Sequence, residues 1–259
     1  MTIPPTDSTA RFSSRVDHYV RYRPGYPPEV WDALTHAVSG LHEGAVIADI
    51  GSGTGISARL FLEHHCIVHA VEPNAAMRVA AERDLTGVPN FHSHDGTAEA
   101  TGLPDASVDL VVAAQAFHWF DPTAAKREFA RISRNDGWCA LIWNTRRLDS
   151  TPFLRDYEAF LTQFGTDYLQ VRHQTVDRDR LAAFFTTGWT VETLYNEQRF
   201  DREGLHGRVL SSSYTPGPED PRHAPMLAAL DELFDRHQYN SEVAFEYDTE
   251  IFLGRVTPG

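Results

Sequence analysis

The chain has 259 residues, 42% of them apolar, with 23 basic against 36 acidic side chains and a formal net charge of −13. That size and composition suit one domain with a continuous core and insertions. The acidic balance repels polyphosphate and anionic lipid, which argues against nucleic acid or a membrane surface as partner and for a small-molecule ligand.

Residues to about 11 read as a loose arm. Residues 12–23 suit a short helix stopped by Pro24, and Pro27-Pro28-Glu29 opens another whose Val30, Leu34 and Val38 face inward. From 45 to about 144, strands and helices alternate, with strands near 45–50, 67–72, 89–92, 108–114 and 138–143. Such alternation implies parallel strands joined by right-handed crossovers. After Asn144 the rhythm changes. Phe153, Tyr157, Phe160, Leu161 and Phe164 share one face of an amphipathic helix, residues 181–185 continue helical up to Gly188, and 189–194 form a sixth strand. Residues 205–210 and 226–237 are helices separated by a proline-bounded connection, and Val243, Phe245, Tyr247, Ile251 and Leu253 alternate as a last strand. The expected architecture is α/β: a Rossmann-like, seven-stranded, mostly parallel sheet with helices on both faces and helical lid insertions around strand six. It divides into an N-terminal part (1–44), an α/β core (45–144) and, within the same domain, the insertions with the last two strands (145–259). Cys66 and Cys139 lie in or beside apolar stretches and read as packed free thiols. With no leader pattern and no run of transmembrane length, a cytoplasmic location is expected.

The densest chemistry follows the first strand. Val46-Ile47-Ala48-Asp49-Ile50 runs into Gly51-Ser52-Gly53-Thr54-Gly55, and Ile56, Leu60 and Phe61 then resume at helical spacing. Alternate glycines let the backbone take positive φ and approach a ligand closely, at a helix start with free N–H groups. A dinucleotide site wants G-x-G-x-x-G/A, whereas Ile56 stands at the sixth place, and Ile56-Ser57 replaces the lysine pair of a phosphate loop. Glu72 ends the second strand, where an acid accepts both hydroxyls of a ribose or is simply a solvated turn residue. Asp95-Gly96-Thr97-Ala98-Glu99 follows the third strand, and Gln115-Ala116 the fourth, so polar or small residues gather at one sheet edge. His92-Ser93-His94-Asp95 has the alternation of a metal half-site but no further ligands nearby, so no metal is assigned.

These residues resemble the class I S-adenosylmethionine-dependent methyltransferases over about 20–144 and more weakly beyond. Asp49-Ile50-Gly51-Ser52-Gly53-Thr54-Gly55 looks like the family's first motif, Glu72-Pro73-Asn74 its ribose-binding second, and the Asp95 to Glu99 loop the one that meets adenine. Arg134-Asn135-Asp136-Gly137-Trp138 is similar to the turn before the fifth strand, with Asn135-Asp136-Gly137 departing from the usual Pro-Gly-Gly. Tyr19-Val20-Arg21-Tyr22-Arg23-Pro24-Gly25-Tyr26-Pro27 and Phe117-His118-Trp119-Phe120 look like the type 11, trans-aconitate methyltransferase-like group. The resemblance implies S-adenosylmethionine as cofactor, with S-adenosylhomocysteine as product. It implies that Tyr19 and Arg23 reach the methionine carboxylate and that the N-terminal arm closes over it. Asp49, Gly51, Ser52, Gly53, Thr54, Gly55, Glu72, Pro73, Asn74, Met77, Gly96, Thr97, Ala98, Gln115 and Ala116 complete the expected cofactor set. The implied activity is methyl transfer to a small molecule; a non-catalytic binding module and a nicotinamide-dependent oxidoreductase are the competing readings.

Displacement at a sulfonium methyl needs no protonated leaving group, so alignment carries much of the rate and no dense triad is required. His118 is the candidate base for a hydroxyl, amine or carbon acid, or else an aromatic wall residue. Tyr22, Tyr26, Phe117, Trp119 and Trp143 are expected to line an acceptor pocket with Asn144, Arg146 and Tyr214. There Arg146 and Arg147 either hold an acidic acceptor or are solvated loop cations. Ser211-Ser212-Ser213-Tyr214 either lines the pocket or simply ends a helix.

Overall fold

A computed structural model describes residues 21–134, 137–166, 168, 177–212 and 214–256. Strands β1 (Val46–Ile50) and β4 (Leu110–Ala114) are almost wholly buried and, Asp49 apart, apolar, as the interior of a parallel sheet demands. They pair in parallel with Asp49 opposite Val112. On one flank lie β2 (Ile67–Val71) and β3 (Phe91–His94), on the other β5 (Trp138–Arg146), β7 (Val243–Arg255) and the edge strand β6 (Trp189–Phe200). The order is 3-2-1-4-5-7-6, with β7 antiparallel to both β5 and β6. The direction of strand progression reverses between β1 and β4, so a crevice opens past their carboxyl ends.

Helices α1 (Glu29–Ala37) and α2 (Ile56–Leu62) cover one face of the sheet, where Leu34, Phe61, Ile47, Val112 and Ile142 are fully buried. Beyond β2 comes α3 (Ala75–Asp84); a single 3-10 turn (Phe117–Trp119) and α4 (Pro122–Ile132) follow β4. Asn74 and Asp121 cap α3 and α4 by accepting two backbone N–H groups each, which satisfies donors that a helix start leaves open. The opposite face packs Phe117, Phe129, Trp143 and Phe252 against α6 (Arg178–Phe184).

The insertions build a third cluster. Helix α5 (Pro152–Phe164) lies between β5 and β6 ahead of α6, while α7 (Arg202–Leu210) and α8 (His223–His237) lie between β6 and β7. Tyr157, Leu205, Met226, Leu230 and Phe245 meet there with almost no exposure. Helical insertions thus flank strand six on both sides, as expected. Several bounds differ from expectation. β3 begins at Phe91 because Asn90 takes φ +67°, and α7 begins three residues early because Asp201 accepts from the Gly204 N–H. β6 runs on to Phe200, since its whole length pairs with β7. In β3, His94 meets His69 across the pair at 2.9 Å, and burial pushes the His69 imidazole down to about 4. Among the described residues no helix is long and apolar enough to cross a membrane.

Candidate active site

The glycine loop closes on two neighbouring strand ends. Gly51, Gly53 and Gly55 take φ of +69°, +55° and +83°, and the Gly51 and Ser52 N–H groups both donate to Val71 O. A Cβ on Gly51 would stand 2.6 Å from the Ala116 Cβ, so the chain leaving β4 rests directly on the chain leaving β1. Glu72 then fastens the loop. Its Oε2 accepts from Gly53 N at 3.0 Å and its Oε1 from Asn74 N at 2.8 Å. Burial raises this carboxyl above its usual range, with the two backbone N–H groups and Arg78 pulling the other way. Each oxygen keeps a second lone pair for a ligand hydroxyl.

Asp49 lies fully buried beneath the loop. Ser57 donates to its Oδ2 at 2.7 Å, while Oδ1, like Thr54 Oγ1, has no hydrogen-bond partner among the described residues. Burial pushes the Asp49 carboxyl up to about 7, with Glu72 adding to the effect. A buried oxygen without a donor is costly, so the loop is set to receive one. Arg78 ties the next loop in: its Nη1 donates to Glu72 O at 2.7 Å and pairs with Asp95 at 3.0 Å. Gly96 fits only as glycine, because a Cβ there would meet Thr101 O and Val71 Cγ1 at 2.9 Å. Ala98 is buried, and the Thr97–Ala100 bridge closes the turn. Met77 lies at the start of α3, with Sδ 3.7 Å from where a Gly53 Cβ would stand. Pro73 precedes the Asn74 cap.

Past β4, Gln115 holds φ +54° and donates from Nε2 to Asn144 O at 3.0 Å. His118 is held down to about 4, chiefly by burial and further by Arg180. Arg180 Nη2 donates to Phe117 O and Phe120 O, with its guanidinium 4.9 Å from the Phe117 ring centroid. The aromatic residues expected to line one pocket separate into different places. Phe117 and Trp143 pack edge-on to each other in the core, with Phe184 and Phe252 as further neighbours, while Trp119 is 41% exposed.

Tyr22, Tyr26, Asn144, Arg146 and Tyr214 lie toward the arm and the insertions. Tyr22 seats its ring on Gly207, where a Cβ would collide with it. Arg23 Nη2 donates to Ser211 O at 3.3 Å. Gly25 O accepts from both Asn144 Nδ2 (2.9 Å) and Asn196 Nδ2 (2.8 Å), and Thr249 Oγ1 donates to Asn144 Oδ1 at 2.5 Å. A groove of about 380 Å³ runs between this segment and the glycine loop, with Arg23, Tyr26, Thr54 and Arg59 in its walls. Arg146 pairs with Glu158 at 2.6 Å, and the Tyr168 and Tyr214 rings meet tilted, with centroids 5.2 Å apart. Tyr19, Asn135, Asp136 and Ser213 fall outside the described residues. Sequence reasoning missed Ser57, Arg78, Arg180, Asn196 and Gly207. Only Asn196 carried a signal, through strand alternation continuing past Leu194.

The comparisons agree with this geometry. A family described as a methyltransferase domain matches residues 48–141. An uncharacterized methyltransferase of Schizosaccharomyces pombe is 33% identical over 252 residues, covering 95% of this chain and 97% of its own. One from Mycobacterium tuberculosis is 40% identical over 146 residues, 56% of this chain and 57% of that relative, so the match spans little more than half its length. A solved structure from Anaeromyxobacter dehalogenans, a candidate type II methyltransferase, covers 92% of this chain and 100% of its own with a TM-score of 0.67. At 24% identity that likeness is one of fold. A reversed sheet with β7 antiparallel, a glycine loop clasped by Glu72 and a relative aligned end to end define one class: the chain belongs to the methyltransferase family.

Proposed function

We propose that the protein transfers the methyl group of S-adenosylmethionine to a small-molecule acceptor, in the manner of the type 11 group. The observation that carries this reading is the loop Gly51–Gly53–Gly55 fastened by Glu72, with acceptor oxygens on Asp49 and Thr54 left open beside it. When bound, S-adenosylmethionine supplies an electrophilic methyl on a sulfonium, whose departing sulfur needs no proton.

Glu72 accepts the ribose hydroxyls through its spare lone pairs. The loop from Asp95 to Ala98 bounds the adenine, and the backbone of Gln115 and Ala116 faces the cofactor. Asp49 and Thr54 suit the ammonium end and Arg23 the carboxylate end, since a guanidinium offers bidentate donors. Alignment of acceptor and methyl by such a rigid cradle supplies about 7–11 kcal/mol. His118, whose imidazole burial and Arg180 hold down to about 4, is too weak a base to take an acceptor proton effectively near neutral pH and serves as pocket wall.

The test is thermal denaturation with S-adenosylhomocysteine, S-adenosylmethionine and NADH. Ligand at 100 times its Kd stabilises by about 2.7 kcal/mol, roughly 5–10 °C for a domain of this size. Shifts with both adenosyl compounds and none with NADH support the reading. A folded sample that responds to neither overturns it.

A further inference from the structure

The third core cluster contains a polar interior that its apolar surroundings do not account for. α5 brings Tyr157, the end of β5 brings Arg146, and α7 brings Arg208. Tyr157 is 1% exposed and its Oη has no hydrogen-bond partner among the described residues. Arg208 is 5% exposed; its Nη1 donates to Ser212 Oγ at 3.2 Å, while Nε is without a partner among those residues. No carboxylate of the described residues forms an ion pair with Arg208; the groups that act on it are the hydroxyls of Tyr247, Tyr157 and Tyr214. Arg146 gives Nη2 to Glu158 and to Tyr168, holds its guanidinium 5.0 Å from the Tyr157 ring centroid, and has no such partner for Nη1.

Three elements therefore bring buried donors into one cluster, in which Arg146 pairs with Glu158 and Arg208 has no carboxylate among the described residues. An interior hydroxyl can be satisfied by a trapped water, but a water does not neutralise a buried guanidinium, and an unpaired buried charge is strongly unfavourable. The field in the cluster is positive. Burial alone would raise the Tyr214 phenol, yet Arg208, Arg23 and Arg146 pull it below its usual range. Burial pushes the Tyr157 phenol up, so it remains an O–H donor at neutral pH. The cluster adjoins the arm, because Ser211, which takes the Arg23 hydrogen bond, precedes Ser212, which takes that of Arg208. Arg146 also stands in the wall of an open hollow of about 630 Å³, with Arg147, Arg155 and Glu158 beside it.

We propose that Arg146, Tyr157 and Arg208 form an oxyanion site that holds a carboxylate or phosphate group of the methyl acceptor. The assignment rests on the methyl-transfer reading, which makes the bound anion part of the acceptor. It gives the insertions a specificity role: Arg208 neutralises the anion, Arg146 and Tyr157 orient it, and acceptors without such a group lose the anchor.

The test titrates acetate, succinate, citrate and inorganic phosphate at constant ionic strength, with chloride as control, read by thermal shift with and without S-adenosylhomocysteine. At least one oxyanion should stabilise beyond chloride; the carboxylate and phosphate arms identify the group. Tyr157→Phe should fold with stability equal to or above that of the unaltered protein when no anion is present, since it deletes an unsatisfied hydroxyl. Its anion affinity should fall about tenfold, the worth of one hydrogen bond to a charged group. Arg208→Gln should abolish the anion response, and the Tyr157 variant decides the matter if Arg208→Gln does not fold. A shift with S-adenosylhomocysteine but none with any oxyanion overturns the oxyanion site and leaves methyl transfer standing. An oxyanion shift lost in Tyr157→Phe, with no response to S-adenosylhomocysteine, does the reverse. A Tyr157→Phe protein that is itself destabilised also overturns the site, because the hydroxyl would then have a partner in the free protein.

Discussion

Replacing Gly51 with alanine tests how the cradle is held together. Two costs are superimposed at this position. The backbone sits at φ +69°, where a Cβ costs about 1–2 kcal/mol, and that Cβ would stand 2.6 Å from Ala116 Cβ, an overlap worth roughly 1–3 kcal/mol if neither chain moves. The sum is about 2–5 kcal/mol, or roughly 5–15 °C in Tm for a domain of this size. Gly53 separates the two terms. Its φ is +55°, but a Cβ there meets nothing nearer than Met77 Sδ at 3.7 Å, so Gly53→Ala should cost only the backbone part. Adding Ala116→Gly to Gly51→Ala should restore the overlap part and leave the backbone part, a coupling of about 1–3 kcal/mol in a double-mutant cycle. Urea unfolding of the four proteins measures this directly. Equal losses for Gly51→Ala and Gly53→Ala, with no coupling to Ala116, would refute the close approach of the two loops.

Asp49 gives a pH prediction. Its folded carboxyl titrates near 7 against 3.8 in the unfolded chain, so the fold binds the extra proton between those values. Its contribution to stability is then lost as pH rises from about 4 to 7, on the order of 4 kcal/mol. Asp49→Asn removes that loss, so the variant should gain on the unaltered protein across this window in denaturant titrations; parallel curves would contradict the buried, unshared oxygen. Glu72→Gln turns one acceptor into a donor facing a backbone N–H. It should cost about 1–3 kcal/mol of stability and weaken S-adenosylhomocysteine binding in calorimetry, and an unchanged affinity would sink the clasp. The His118 imidazole should show no NMR titration between pH 5.5 and 8, because burial and Arg180 keep it neutral there. An inflection near 6.5 would restore it as a candidate base.

How much of this was visible in the sequence depends on how far each interaction reaches along the chain. The glycine loop and the Asn74 and Asp121 caps act within a few residues, so their spacing alone announces them. The core strands are equally legible, because β4, and β1 but for Asp49, are apolar on both faces. β6 outruns the expected 189–194 for the opposite reason. As an edge strand it carries Asn196, Glu197, Gln198 and Arg199, which look like loop, and only pairing with β7 keeps them extended. The separation of Phe117 and Trp143 from Tyr22 and Tyr26 depends on which face of the sheet each side chain enters, a matter of register that composition does not carry. Arg208 is the extreme case. On a short helix it reads as a solvated cation, and its burial against Tyr157 and Tyr247 follows from contacts some forty to fifty residues away.

Several contacts outside the first four strands fasten the arm segment. Tyr22 leans on Gly207, Arg23 on Ser211, and Gly25 on Asn144 and Asn196. For protein engineering this makes residues 21–28 and the stretch from Asn196 to Ser211 one exchangeable cassette. A chimera that imports a relative's insertions alone leaves Tyr22 facing a position where any side chain larger than hydrogen collides. One that imports both halves carries a matched hasp and staple onto an unchanged cofactor core, and new acceptor preferences should be sought in such paired transplants.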